Sequence, residues 1–186
     1  MRVTKILSDD EALVTRFLAV LGRGLVIASR SKTARPGFFI FASNFIREYL
    51  EPEYFKKEAV LLQALEDCGF PADSGPVGGM RAEYRRSSEI SKVLAEAAKA
   101  WQAGDESGRA EAIYTTSEYT GLMHHHFEQL RNLINPLLEQ TITPEAELKI
   151  AEELNRIAFA DREEQTPAKF TKIVQMLEEE ASDWED

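Results

Sequence analysis

The chain has 186 residues, 44% of them hydrophobic, which is enough for one packed core and too apolar for a disordered polymer. Its 32 acidic side chains against 22 basic ones leave a net charge of −10, so the surface repels phosphate. That excludes nucleic acid and an anionic membrane as default partners.

In chain order, the first fourteen residues, MRVTKILSDDEALV, carry a short apolar patch broken by Asp9 and Asp10 and do not read as a signal peptide. No uninterrupted apolar run of about 18 residues follows anywhere, so no membrane span is expected. The cytoplasm is the default compartment. A first helix is expected over 8–28, opened by a Ser8/Glu11 capping box and carrying the stripe Leu13, Phe17, Val20 and Leu21. A linker at 32–37 leads to a second helix ending at Asp67, with a kink or fresh start at Pro52. Gly69 suits a left-handed cap. The glycine-rich stretch 72–79 is read as a loop; it lacks the preceding strand and the Lys-Ser/Thr ending of a phosphate loop. Cys68 is the only cysteine, so no disulfide closes within the chain, and the thiol is read as inert.

A third helix is expected over 79–103 and a fourth from Asp105 or Ser107 to about Gln140, with Pro136 near its end. Thr143-Pro144 and Thr166-Pro167 repeat one signal, an N-cap followed by proline at the first helical position, and open two shorter helices. The last has Phe170, Ile173, Val174 and Leu177 on one face, and the acidic tail 181–186 is expected to fray. Long amphipathic helices joined by short loops predict an all-α fold, an antiparallel four-helix bundle over 1–140 with an accessory helical hairpin over 141–186 packed on it.

Chemistry in such a bundle comes from polar side chains on apolar stripes. On the fourth helix Tyr119, Leu122, Met123, His126, Leu130, Leu133 and Leu137 share a face, so His126 points inward. His124 and His125 are turned away from it by about 200° and 100°, and the three cannot converge on one ion. On the second helix Tyr54, Glu58, Leu61, Leu62 and Leu65 share a face, with Glu53 and Lys57 in a more exposed row. A buried Glu58 requires a partner: a metal, an arginine, or water. Asp10 lies in line with Ile6, Leu13 and Phe17, although an acid in a first turn also favours the helix dipole. Tyr84 lies in line with Met80, Ser87 and Ser88, where a tyrosine also serves as core with its hydroxyl bonded.

Several segments resemble the hemerythrin-like, or HHE cation-binding, family. They are Asn44-Phe45-Ile46-Arg47-Glu48-Tyr49, the run from Lys56-Lys57-Glu58 to Gly69-Phe70-Pro71, the run from Gly75-Pro76 to Glu83-Tyr84, and the spacing from His126 to Pro136. The resemblance implies a bundle enclosing an oxo-bridged di-iron site held by histidines and carboxylates. Carried across, the first-helix histidine falls on Asp10, the second-helix His-x-x-x-Glu pair on Tyr54 and Glu58, and the third-helix histidine on Tyr84. The fourth-helix His-x-x-x-x-acid pair falls on His126 and Arg131. Only Glu58 and His126 keep their chemical type. Arg131 is a permanent cation that repels a metal, and the alignment predicts that it pairs with Glu58 or Asp10 across the cavity.

Three readings follow. The first is a metal-free bundle with a degenerate site, holding no cofactor and acting by binding a protein or small-molecule ligand. The second is a remodelled metalloprotein in which Asp10, Tyr54, Glu58, Tyr84 and His126 hold iron, as one ion or a di-iron centre, with Glu53 and Glu128 as further carboxylates. The family's chemistry then implies handling of oxygen, nitric oxide or iron. The third, an enzyme without metal, finds no Ser-His-Asp or Cys-His pattern to support it.

Overall fold

A computed structural model describes residues 7–163 and 166–184, with the side chains of Ser8, Asp9 and 161–167 excepted. Ile6, the capping side chains of Ser8 and Thr166, and the tail residues Glu185 and Asp186 therefore lie outside the described residues. Every regular element among the described residues is helical. The helices are α1 (Ser8–Arg30), α2 (Pro36–Phe45), α3 (Phe55–Asp67), α4 (Gly75–Gln102), α5 (Glu106–Gln129), α6 (Asn135–Thr141), α7 (Pro144–Glu163) and α8 (Thr166–Asp183). Two π-helical stretches, Ile46–Tyr54 and Leu130–Ile134, join α2 to α3 and α5 to α6 into continuous rods.

Both π stretches accompany a proline. Pro52 lies inside the first, and Pro136 follows the second by two residues. Proline removes one backbone donor and its ring clashes with the preceding turn. A wider turn accommodates that without ending the helix, so the expected break at Pro52 is a π stretch instead. The extra residue also shifts the buried face. Beyond Leu130 the core takes Ile134 and Leu138, while Leu133, expected inside, is 36% exposed.

Chain punctuation follows local chemistry. Asp105 caps α5, its Oδ1 accepting from the Ser107 amide at 2.8 Å. Thr143 caps α7, its hydroxyl accepting from the Ala146 amide at 3.2 Å. Gly69 ends the α3 rod with a φ of 97°. Helix α4 starts four residues earlier than the composition of 72–79 suggests: Pro76 sits in its first turn, the position where a missing amide costs nothing.

Helix α4 packs along α5 and α2, α1 along α5 and α8, and α3 along α7. The pair α1 and α5 runs antiparallel, because Arg109 near the start of α5 donates to the carbonyls of Ala28 and Ser31 at the end of α1. One core runs through all of these helices, from Phe17 stacked on Phe45 at 4.1 Å to Leu154 in α7 and Val174 in α8. Burying each such side chain stabilises the fold by about 1.5–3 kcal/mol. Gly24 lets α2 come close: a Cβ there would lie 2.4 Å from the Phe38 ring.

The last helix does not fray up to Trp184. The indole is buried 4.9 Å from the Phe38 ring, and its carbonyl accepts from the Thr33 hydroxyl at 3.3 Å. Burial of a large aromatic outweighs the acidity of its neighbours. The segment Asp10–Arg30 is long and apolar enough to cross a membrane by length and composition, a property hidden from a search for uninterrupted apolar runs by Arg16 and Arg23. Within the fold 33% of the 18-residue window that meets this test is buried.

Candidate functional site

Four of the five candidate cavity residues meet: Tyr54, Glu58, Tyr84 and His126. Glu58 comes from α3, one turn after the π stretch that carries Tyr54; Tyr84 comes from α4 and His126 from α5. Glu58 and His126 have no solvent exposure. The His126 Nε2–H donates to Glu58 Oε2 at 2.9 Å, and Tyr84 donates to the same oxygen at 3.0 Å. On the other side of the ring the Nδ1–H donates to Glu83 Oε2 at 2.8 Å. His126 is therefore an imidazolium held between two carboxylates. Burial alone would push it toward the neutral form, but the charges of Glu58 and Glu83 and their hydrogen bonds outweigh that and raise its pKa from 6.5 to about 9.

Aromatic rings wall the group in. Phe55 stacks on Tyr84 at 4.4 Å, and Phe127 stands edge-on to His126 at 5.7 Å. Burial and the nearby Glu58 charge hold both Tyr54 and Tyr84 well above the ordinary phenol range, so both are neutral phenols. The Tyr54 hydroxyl and Glu58 Oε1 are buried, and neither has a partner in hydrogen-bond geometry, although Glu58 is the strongest charged neighbour of Tyr54.

Asp10 is not part of this group. It accepts from the Tyr49 hydroxyl at 2.6 Å and from Lys57 Nζ at 3.0 Å. Lys57, expected in an exposed row, is 3% exposed. It precedes Glu58 by one residue, so it projects about 100° away around α3 and meets α1 there. The two acids thus face different sides of α3, each with its own cation.

Arg131 corrects a second expectation. It is exposed and pairs with neither Glu58 nor Asp10. Five residues beyond His126, at about 100° per residue, it points roughly 140° off the inward direction. The π stretch begins only at Leu130, too late to bring it round. The cation that balances Glu58 is His126 itself. Glu83 is the functional side chain that the sequence reading missed. Its signal was the three-residue step from Met80, which places it beside Tyr84 at the edge of the same stripe. His125 also approaches Glu83, its Nε2 lying 3.4 Å from Oε1, while His124 faces Glu128 at 3.4 Å.

The donor set does not fit a di-iron centre. The one buried histidine has both ring nitrogens engaged by carboxylates, the phenols are held neutral by burial and the adjacent Glu58, and Asp10 is satisfied elsewhere. Among the described residues no three His, Cys, Asp or Glu side chains are grouped to hold a metal ion.

No protein-family model matches the chain, and neither the curated proteins nor the solved structures include one with significant similarity to it.

Proposed function

We propose that the chain is a hemerythrin-like four-helix bundle whose metal cavity has been replaced by an internal ion pair, and that it works by binding a ligand or partner without iron. In this reading α1, the α2–α3 rod, α4 and the α5–α6 rod form the bundle, with α7 and α8 packed outside. The observation that carries it is His126, donating from both nitrogens to Glu58 and Glu83. A positive imidazolium stands between the carboxylates, where the family resemblance implies a metal cation. A histidine used this way has no lone pair to offer a metal, and releasing one requires breaking two charge-assisted hydrogen bonds in a dry interior.

Elemental analysis of protein purified without a histidine tag, followed by ferrous iron titration in air, tests this. The expected outcome is no stoichiometric iron, no absorption band from tyrosinate–iron, and a melting temperature insensitive to chelator. Tight uptake of a single ferric ion with a purple or red band would instead give Tyr54 and the unpartnered Glu58 Oε1 a ligating role.

A further inference from the structure

Outside the buried ion pair, the seam between α1 and α5 stays open along its outer side. It forms a groove of about 660 Å³, with Leu18 and Gly22 on one wall, Gly121 on the other, and Phe127 in its floor. That volume lies within the range of small-molecule sites. The glycines here do not serve close helix packing. A Cβ at Gly22 or Gly121 would meet nothing within 4 Å, whereas one at Gly24 would strike Phe38. In the apolar stretch of α1 only a third of an 18-residue window is buried, so the groove collects apolar surface that the core leaves uncovered.

One end of the groove differs in character. Arg131 lines it, exposed and without a carboxylate partner among the described residues, and His124 lies two turns before it. Arg16, Arg81, Arg86 and Arg156 each hold a glutamate, whereas Arg131, like Arg30, Arg47 and Arg85, holds none among the described residues; Arg131 is the arginine that lines this groove. A guanidinium fork matches a carboxylate. The net negative charge, and Glu128 beside His124, oppose a head with more than one negative charge. Along α5 the lining extends from Ser117 to Arg131, about 20 Å of helix, which suits an extended alkyl chain.

We infer that this groove binds an amphipathic monocarboxylate, its apolar chain lying over Gly121 and Phe127 and its carboxylate on Arg131. The inference rests on the binding reading above and names its ligand class. Phe127 couples the groove to the interior, since its ring also lies 6.0 Å from Tyr54.

Calorimetric titration of the full chain with decanoate, 1-decanol and acetate tests it, with Gly121→Leu to fill the groove and Arg131→Gln to remove the cation. Decanoate is expected to bind and acetate not to. Gly121→Leu should weaken decanoate and decanol alike by about tenfold or more, and Ala19→Leu on the facing wall should do the same. Arg131→Gln should weaken decanoate by about tenfold and leave decanol unchanged. No decanoate binding, or binding that ignores all three variants, overturns the assignment. So does a dimer in sedimentation that Gly121→Leu splits, which would show a second copy of the chain in the seam. Iron content measured on the same sample separates the two readings. Iron-free protein that fails to bind decanoate overturns the groove alone, and stoichiometric iron beside normal decanoate binding overturns the metal-free reading alone.

Discussion

Raising the pH should destabilise this protein through one buried side chain. In the unfolded chain His126 titrates near 6.5, and in the fold it is raised to about 9 by Glu58 and Glu83 acting against burial. Folding therefore takes up a proton between those values. The stabilisation is fully present below about pH 6.5 and is lost as pH rises through about 9. At about 1.4 kcal/mol per pH unit, the difference is on the order of 3 kcal/mol, a large part of the stability of a domain this size. Tyr54 and Tyr84 stay neutral across this window, because burial and Glu58 hold their hydroxyls well above the ordinary range. Urea unfolding between about pH 6 and about pH 9.5 measures the slope. His126→Gln keeps every other titrating group and supplies the background, and an NMR titration of the imidazole gives the midpoint directly. A slope unchanged in His126→Gln, or stability that rises with pH across the window, would refute the imidazolium assignment.

Glu58→Gln should lower the His126 midpoint and cost about 3–5 kcal/mol in urea unfolding, because it leaves a buried cation with one partner. Glu83→Gln should cost less, since Glu83 is 15% exposed and water can take its place. Leu21→Ala removes a side chain with no solvent exposure and should cost about 2–5 kcal/mol by the same assay. Gly121→Ala lies on an exposed helical surface with open space around the added methyl, and should raise stability by about 0.5–1 kcal/mol, read as a higher melting temperature.

Helix periodicity alone makes the all-α class legible and turns Glu58 and His126 inward on their own helices; that Tyr54, Glu58, Tyr84 and His126 come to one place is what the family resemblance implies. Part of the mismatch has one physical origin. Regular stripes assume a constant angle per residue, and the two π stretches break that assumption. Leu133 was assigned inward and Ile134 overlooked for this reason. Arg131 fails differently: the alignment puts it in the cavity, while the angle from His126 puts it outside. Lys57, which the helical angle puts in a more exposed row, is buried because Asp10, itself held by the Tyr49 hydroxyl, pairs with it from 47 positions away. Trp184 shows the same limit. Its acidic neighbours suggested a loose tail, and only the distant Phe38 ring explains why it docks.

The way α8 closes on α1 also bears on how the chain is made. Arg16 meets Glu178 at 2.6 Å across 162 residues of sequence. A ribosome therefore releases the first helix long before its covering helix exists. Until α8 emerges, this long apolar helix waits with one flank bare. Contacts this remote slow folding and leave a sticky intermediate. A nascent chain stalled before residue 166 should accordingly lean on a chaperone holdase, and its need for one should vanish once α8 emerges.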